Sequence, residues 1–500
     1  MWVLGVAFWD RITHPWTYND DYNGAFWSQA ARNFSHAGFF STAGVPAPLY
    51  FGAPPIPADA LYVHHPTLLS AMMLLDRTLL GESEWAARLL PILFSLLTGV
   101  LLWVFAFRSS GQRLASFALA FFVAAPMELH YGQMVNFEAP ELFLLLGALC
   151  CFHLWRERRG SAMAAGCLLF CVLAMWMDWP GYLLVIWLAA QSIVGRIGRS
   201  GMMASALVLA ACLCGGAFLA QIRLAAPGAW AELFHAFRER SGHGDLSGGS
   251  FTTIQWLRTE WEYITTLFHP AALLLAVAGS IVAFVERDRL APREAALVQI
   301  GATFFFIDAF YVCALRNQSY VHDFACFYFL IPIAIFPAFL IDRSVRAIQS
   351  RWPLSRASGI TTMVSAILAC ALLVSGVRSL RGIDTQFCIL GDDDSEPPAL
   401  MPDLGRLIDQ DFPSDSVVIC NFDPYYSPLP YYARRVMVND LHTYADWQGA
   451  ISEAKPQPAA GILWAAAPDA SNLLQHLPRS ETLPVSIDGI PFILWRPHHS

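Results

Sequence analysis

The chain has 500 residues, of which 56% are hydrophobic and 14% are charged, whereas soluble domains carry roughly 25% charged residues. A water-soluble fold could not bury that much apolar surface, so these proportions exclude an ordinary soluble protein. The formal net charge of −8 argues against a nucleic-acid partner, because phosphate backbones require a concentrated basic surface. Lys455 is the only lysine, so arginine, histidine, hydroxyl groups or backbone amides must meet any bound anion.

The hydrophobic residues are gathered into blocks about as long as the ~20 residues that a spanning helix needs. These blocks predict an all-α polytopic membrane protein with about eleven transmembrane helices. The predicted spans lie near residues 1–16, 86–107, 114–129, 138–155, 161–178, 180–195, 202–220, 269–285, 295–314, 324–341 and 358–377. Asp10 and Arg11 interrupt the first block, which leaves open that the natural start lies upstream.

Arginines predict the orientation, because short cytoplasmic loops of membrane proteins are enriched in basic residues. Alternate loops contain Arg108 and Arg113; Arg156, Arg158 and Arg159; Arg196 and Arg199; Arg287, Arg289 and Arg293; and Arg343, Arg346, Arg351 and Arg356. We expect these loops to be cytoplasmic. The segments 17–85, 221–268 and 378–500 then face outward, and the predicted location is the bacterial inner membrane with these segments in the periplasm.

The C-terminal segment, residues 378–500, is predicted to form a small outward-facing α/β domain, separate from a membrane domain over residues 1–377. Runs typical of strands alternate there with polar or helical stretches. The runs are Val417 to Ile419, Val436 to Val438, Ile462 to Trp464 and Phe492 to Leu494.

The first outward loop opens with an acidic pair, Asp20 and Asp21, followed by an apolar stripe at helical spacing. The stripe consists of Phe26, Ala30, Phe34 and Ala37. It predicts an amphipathic helix at the membrane surface whose N-terminus favours the nearby carboxylates. The two aspartates could be helix caps alone.

Three further outward loops place polar side chains at the edge of the bilayer, where ionisable residues are costly and suggest function. They hold His130, Tyr131 and Glu138; Asp178 in an Asp-Trp-Pro-Gly sequence; and Arg316, His322 and Asp323. Asp178 also suits a tight turn between two spans, without any functional role.

These motifs resemble the GT-C superfamily of polyprenyl-phosphate-dependent glycosyltransferases, in particular its protein O-mannosyltransferases and bacterial lipid A aminoarabinose transferases. The resemblance covers about residues 1 to 200 and extends loosely to the end. The residues that carry it are Asp20 and Asp21; Ala31, Arg32, Asn33 and Gly38; His64 to Leu68; Leu80 to Leu89; and Glu138. Relatives often carry a basic residue in the turn that holds Asp178 here.

The resemblance implies transfer of a sugar from a polyprenyl-phosphate donor to an acceptor hydroxyl on the outer side of the membrane, with inversion. Asp21 or Asp20 is then the expected base, since attack requires a carboxylate near the acceptor hydroxyl. Glu138 is expected to hold a divalent metal, steady the donor or position the acceptor. No other metal ligand is expected, and metal is not required.

The leaving phosphate needs cations or directed donors, for which Arg316 and His322 are the main candidates and Arg258 a further one. His65, Asp178 and Tyr131 are candidate substrate-binding residues, although His65 could simply be a polar residue at the surface without a functional role. The acceptor is a lipid, a glycan or a protein. Two alternatives remain: a transporter or flippase of lipid-linked glycans, and a membrane sensor whose C-terminal domain binds a ligand.

Overall fold

The structure is a computed structural model of the chain. It describes residues 2–17, 21–158, 160–194, 200–242, 251–351, 374, 399–424, 428–439, 441–455, 457–477 and 481–496. Two compact units make up the chain. The first unit contains Met1–Ile12, Val63–Leu69 and Arg88–Ile383, and the second contains Thr13–Tyr62, Ser70–Ala87 and Asp384–Ser500.

Helices account for nearly all the regular structure before residue 352. They are α1 (Trp2–Arg11), α2 (Asp21–Ala37), α3 (Leu68–Leu80), α4 (Glu84–Ser110), α5 (Gln112–Ala124), α6 (Pro126–Tyr131), α7 (Glu138–Arg158), α8 (Ser161–Met177), α9 (Pro180–Val194), α10 (Ser200–Ala225), α11 (Trp230–Arg240), α12 (Thr253–Leu267), α13 (Pro270–Val285), α14 (Pro292–Ala314), α15 (Arg316–Val321) and α16 (Leu330–Arg351).

Within the described residues, five helical segments are long and apolar enough to cross a membrane. They are Glu84–Ser110, Glu138–Arg158, Gly201–Ala225, Pro292–Ala314 and Asp323–Arg351. The α12 and α13 pair makes a sixth if its 99° bend is counted as one broken span. Three shorter apolar helices, α5, α8 and α9, accompany them. The predicted polytopic helical fold is confirmed, whereas the count of eleven stays a prediction.

Three of the predicted spans differ from, or fall outside, the described helices. The predicted span 114–129 is broken, because α5 ends at Ala124 and Ala125 takes an extended conformation before Pro126. The first predicted span is a helix of ten residues, Trp2–Arg11. The last predicted span, 358–377, lies outside the described residues apart from residue 374.

Ion pairs gather several arginines at one end of the first unit. Arg113 at the start of α5 pairs with Asp342 of α16 at 2.7 Å. Arg343 of α16 pairs with Glu294, in the first turn of α14, at 2.7 Å, and Arg346 pairs with Asp342 at 2.8 Å. We call this the arginine-rich end. The N-termini of α7 and α9 and the C-terminus of α14 lie at the other end, and the predicted sidedness of the two ends stays a prediction.

The C-terminal part of the second unit contains a mixed five-stranded sheet, which agrees with the predicted α/β character, while the predicted domain bounds stay a prediction. Its strands are β1 (Val417–Cys420), β2 (Val436–Val438), β3 (Ala459–Trp464), β4 (Thr482–Ile487) and β5 (Ile490–Trp495), in the order β2-β1-β3-β5-β4. Strand β1 runs parallel to β2 and β3, while β5 is antiparallel to β3 and β4. Among the described residues of this part are four short helices: α17 (Leu400–Asp411), α18 (Leu429–Ala433), α19 (Tyr444–Ala454) and α20 (Ala470–His476).

Alternation along the strands gives the sheet a core on each face. Val418 and Ile462 point toward Leu404 of α17 and Phe492 on one face. On the other face, Ile419 packs in a cluster that includes the fully buried Trp447 of α19. The apolar runs that predicted the strands are therefore the residues that stabilise this part of the chain.

Candidate functional site

Asp21 begins helix α2 in the second unit. Its side chain is 5% exposed, and its Oδ2 accepts a hydrogen bond of 3.0 Å from the backbone N–H of Thr17. This position favours the carboxylate, because the free N–H groups and the dipole of a helix N-terminus stabilise negative charge. Asp20, the other member of the acidic pair, lies outside the described residues.

Arg32 and Glu82, two of the residues that carry the resemblance, form a partly buried contact in the second unit. Arg32 Nε donates to Glu82 Oε1 at 2.7 Å, and its Nη1 donates to the backbone carbonyl of Tyr431 at 3.0 Å. The guanidinium also lies 4.2 Å from the centre of the Tyr431 ring. Burial opposes ionisation of Glu82, but Arg32 and Arg77 outweigh it and hold the pKa of Glu82 below its ordinary value. The contact joins α2 to the C-terminal sheet region.

In the first unit, His65 connects Asp178 to Arg240. His65 Nδ1 lies 2.8 Å from Asp178 Oδ1, and Arg240 Nη1 lies 2.7 Å from His65 Nε2. A neutral imidazole satisfies both contacts if Nδ1–H donates to the carboxylate and Nε2 accepts from the guanidinium. Burial and the Arg240 charge lower the pKa of His65, against the opposing effect of Asp178, which agrees with a neutral ring.

The local sequence explains how Asp178 and His65 are held in place. Asp178 lies in the tight connection between α8 and α9, where a Cβ on Gly181 would come within 2.5 Å of the Ala174 backbone. Only glycine allows that approach. His65 precedes α3 in a His-His-Pro sequence, and its ring stacks on Phe137 with centroids 4.5 Å apart. Asp178 therefore serves both as a turn residue and as a partner of His65.

Arg240, the last residue of α11, lies close to three histidines. Burial, followed by the Arg240 charge, lowers the pKa of His64 to about 3 and that of His322 to about 4. His64 Nε2 also lies 3.1 Å from Glu232 Oε1 on the same helix. His64 and His65 thus both contact α11, and all three rings are neutral at pH 7.

An aromatic cavity of about 440 Å³ lies beside Arg240. Arg240 and His64 contribute charged or titratable groups to its lining. Its walls are mostly apolar and aromatic side chains, namely Trp179 in the turn before α9, Tyr182 of α9, Phe234 and Phe237 of α11, and Phe310 and Tyr311 of α14. Trp179 is fixed by a hydrogen bond of 3.1 Å from its Nε1 to the backbone carbonyl of His64. This composition suits an amphipathic anion whose apolar part enters the cavity and whose charge meets the guanidinium.

Glu138 opens α7 and is 8% exposed. The amide of Asn136 donates to its Oε1 at 3.4 Å. Glu141, one turn further along α7, is fully buried, and Asp178 is close enough to interact electrostatically with both glutamates. Over the described ranges, no three or more His, Cys, Asp and Glu side chains are grouped so that they could hold a metal ion.

Tyr131 and His322 lie in two loops that meet in the first unit. Tyr131 is 5% exposed, and its hydroxyl donates to Asp323 Oδ1 at 2.6 Å. The ring of Phe324 contacts Tyr131 at 5.7 Å and His322 at 4.9 Å between centroids. These contacts hold His322 in the neighbourhood of Arg240.

The other two arginines named from the sequence lie in different surroundings. Arg316 donates to Thr253 Oγ1 at 3.2 Å and lies over the rings of Phe251 and Trp256. Arg258 is exposed on α12. The structure thus brings His65 and Asp178 together and places His322 near Arg240, but it directs Arg316 toward α12.

Sequence reasoning missed Arg240 and Glu141. Arg240 ends an alternating charge run, Arg238-Glu239-Arg240, which reads as a solvated helix face. The available signal was its position in the outward segment 221–268, the same segment that supplied Arg258 as a candidate. Glu141 follows Glu138 by three residues inside an apolar block, and that spacing was itself a sign of a polar helix face.

No protein family and no curated protein matches this sequence, but solved structures share its fold. ArnT from Cupriavidus metallidurans bound to undecaprenyl phosphate aligns with 98% of this chain and 95% of its own, with a TM-score of 0.62 and 14% sequence identity. The apo oligosaccharyltransferase of Archaeoglobus fulgidus aligns with 92% of this chain and 69% of its own, with a TM-score of 0.57 and 13% identity. AglB from the same archaeon, in complex with an inhibitory peptide and a dolichol-phosphate, aligns over the same shares of the two chains, with a TM-score of 0.53 and 13% sequence identity.

The chain therefore shares its fold with ArnT and with the archaeal oligosaccharyltransferase, which agrees with the polytopic helical fold that the sequence motifs predicted. ArnT corresponds in fold over nearly its entire length, including the C-terminal part that contains the sheet. At identities of 13–14%, these likenesses establish the architecture of this chain.

Proposed function

We propose that this protein is a membrane glycosyltransferase that moves a sugar from a polyprenyl-phosphate donor to an acceptor hydroxyl. The observation that carries the proposal is the Asp178–His65–Arg240 chain of contacts beside the 440 Å³ aromatic cavity. An isoprenoid phosphate combines an apolar chain, which suits the aromatic walls of the cavity, with an anionic group, which suits the guanidinium of Arg240. Two proteins of the same fold were solved with such lipids, undecaprenyl phosphate in ArnT and dolichol-phosphate in AglB.

On the donor side, Arg240 meets the phosphate. Negative charge grows on the leaving phosphate as the bond from the anomeric carbon to the phosphate oxygen breaks, and a positioned guanidinium stabilises that charge. His65 holds Arg240 through its Nε2 lone pair, and Asp178 fixes the tautomer that makes this lone pair available. His65 and Asp178 are thus positioning residues, and His322 contributes a neutral donor near the same phosphate.

On the acceptor side, Asp21 is the proposed base, with Asp20 as the alternative. Its carboxylate takes the proton of the acceptor hydroxyl while the oxygen attacks the anomeric carbon from the face opposite the phosphate. One carbon–oxygen bond forms, the bond to the phosphate oxygen breaks, and the lipid phosphate leaves. The sugar is therefore transferred with inversion. Glu138 positions the acceptor or the donor sugar.

The acceptor is a lipid, a glycan or a protein on the outer side of the membrane, which for a bacterial inner membrane is the periplasmic side. The asymmetric distribution of arginines supports this orientation, since basic loops are retained in the cytoplasm. The acidic and histidine motifs lie on segments predicted to face outward.

The test measures transfer by purified protein in detergent, supplied with a panel of polyprenyl-phosphate sugars and with protein, lipid A and glycan acceptors. Arg240→Gln should reduce kcat/KM by about 10²–10³-fold, which is typical for loss of one donor to a developing oxyanion. Arg240→Lys should restore part of the rate. Arg238→Gln, on the same helix, is the matched control.

Two results would contradict the proposal. Movement of intact lipid-linked sugar across vesicles without cleavage would identify a transporter. Transfer that proceeds at the wild-type rate in Arg240→Gln would show that Arg240 does not bind the donor phosphate.

A further inference from the structure

A second large cavity, of about 730 Å³, lies at the arginine-rich end of the first unit, away from the donor site. It opens between the C-termini of α4 and α7 and the N-terminus of α14. Its polar lining consists of Arg108, Ser109, His153, Arg156, Glu157, Arg293 and Gln299. Helix α7 contains 21 residues from Glu138 to Arg158, so its two ends lie about 30 Å apart. The two cavities therefore require different ligands or different copies of one ligand.

His153 gives this cavity an unsatisfied buried donor or acceptor. The residue is 7% exposed, it lines the cavity, and its Nε2 has no hydrogen-bond partner in the described part of the chain. Buried polar atoms are nearly always hydrogen-bonded, and leaving one unmatched is costly. A ligand with hydrogen-bonding oxygen atoms in the cavity would satisfy it.

The charges around the cavity select an anion. Three arginines line it, Arg108, Arg156 and Arg293, against the single carboxylate of Glu157. Glu157 pairs with Arg293 at 2.6 Å. The planar fork of a guanidinium group can donate two parallel hydrogen bonds to two oxygens of a phosphate, and Ser109 and Gln299 add neutral hydrogen-bonding groups.

The surroundings of the cavity indicate that the anion belongs to a lipid. The cavity lies at the ends of three candidate spanning segments, and we expect the ends of spanning segments at the depth of lipid headgroups. Part of its wall is apolar, formed by Phe105, Leu154 and neighbouring residues of α14. On the outer surface of α4, Val104 and Phe107 are 41% and 46% exposed, which suits contact with acyl chains.

We propose that this cavity binds the phosphate headgroup of an anionic phospholipid. The phosphate lies among Arg108, Arg156 and Arg293 and accepts a hydrogen bond from His153 Nε2. Basic pockets between spanning helices provide this kind of recognition. The lipid steadies the ends of α4, α7 and α14 and takes no part in sugar transfer, so the inference does not depend on the proposed function.

The test is native mass spectrometry of the full chain in detergent with added phosphatidylglycerol or phosphatidylcholine. We expect one phosphatidylglycerol to bind about tenfold more tightly than phosphatidylcholine. The triple variant Arg108→Gln, Arg156→Gln, Arg293→Gln should lose this preference. Arg287→Gln with Arg289→Gln is the matched control, because both residues are exposed on the Arg287–Arg289 turn and lie outside the cavity lining.

His153→Phe is an independent test, because it removes the Nε2 hydrogen-bonding group and leaves all three arginines in place. Its phosphatidylglycerol affinity should fall about fivefold, and melting curves in lipid-free detergent identify any variant that is merely misfolded. Equal binding of both lipids by the wild-type protein, or an unchanged preference in the triple variant, would overturn the proposal. Inorganic phosphate that displaces phosphatidylglycerol at low millimolar concentration would assign the cavity to free phosphate.

Discussion

Arg32 and Arg240 are both held by directed contacts, but in surroundings that give them different roles. In the second unit, Arg32 is 5% exposed and is enclosed by Glu82 and Tyr431. In the first unit, Arg240 is half-buried, contacts a neutral imidazole, and lines a cavity that a ligand can enter. Arg32 is enclosed and stabilises the fold, whereas Arg240 lines a cavity, where we propose that it binds a substrate.

The largest expected effect concerns Asp21, which shares helix α2 with the structural Arg32. Asp21→Asn should lower the rate of sugar transfer by about 10²–10⁴-fold, the usual contribution of a general base. The measurement is initial rate with saturating polyprenyl-phosphate sugar. Asp59→Asn, in the same loop and exposed, should retain wild-type activity. If Asp21→Asn is active and Asp20→Asn is not, the base is Asp20. Full activity in the double variant would show that neither aspartate is the base.

The next prediction tests whether Asp178 acts by positioning Arg240 through His65. Asp178→Asn removes the charge that fixes the His65 tautomer, so Arg240 loses its orientation. We expect KM for the lipid donor to rise about tenfold, with kcat at saturating donor changed less than about threefold. A purely structural role for Asp178 would instead lower the amount of folded protein and leave the KM of the remaining enzyme unchanged.

Arg32 should behave in the opposite way to Arg240. Arg32→Gln leaves Glu82 partly buried without its main partner and should destabilise the second unit by about 2 kcal/mol. Thermal unfolding would show a lower Tm, while activity per folded molecule at low temperature stays near the wild-type value. Arg406→Gln serves as the control, because Arg406 is exposed and also lies over a tyrosine ring, that of Tyr432. A fall in kcat without a fall in Tm would contradict the structural role.

The smallest effect is a pH dependence of stability. His64 and His322 have folded-state pKa values of about 3 and 4, below the ordinary value of 6.5. Their contribution is therefore fully present above pH 6.5 and is lost as the pH falls toward 4, because the unfolded chain takes up protons that the folded chain does not. The Tm of the wild-type protein should fall over that window.

A variant with His64→Gln and His322→Gln should show an acid-induced decrease in Tm that is smaller by about 2–4 °C. His36→Gln, at an exposed position on α2, should follow the wild-type curve. Identical curves for the double variant and the wild-type protein would show that these rings are protonated normally in the folded state.

Local pattern was enough to predict much of the architecture. The predicted apolar blocks between residues 86 and 341 coincide with helices, among them α4, α7 and α14, and the four β-rich runs lie within β1, β2, β3 and β5. The break at Pro126 was missed, although the residue before a proline is biased away from helix. These are short-range properties, which depend on periodicity, proline and the length of apolar runs.

The candidate site depends on contacts between distant positions. Asp178 and His65 are 113 residues apart, and His65 and Arg240 are 175 residues apart. Among the outward arginines, the sequence favoured Arg316 because its loop is short and tied to two span ends. Only the packing of α11 against the His64 and His65 segment shows that Arg240 is the arginine beside the histidines.

The sequence by itself determined a membrane-spanning helical protein with a small sheet region and a set of polar motifs between its spans, because hydrophobic burial and backbone preferences act locally. Tertiary structure decided which arginine is enclosed and which lines a cavity. Hydrogen bonds and charges act over a few ångströms, and only the folded chain brings their partners within that range.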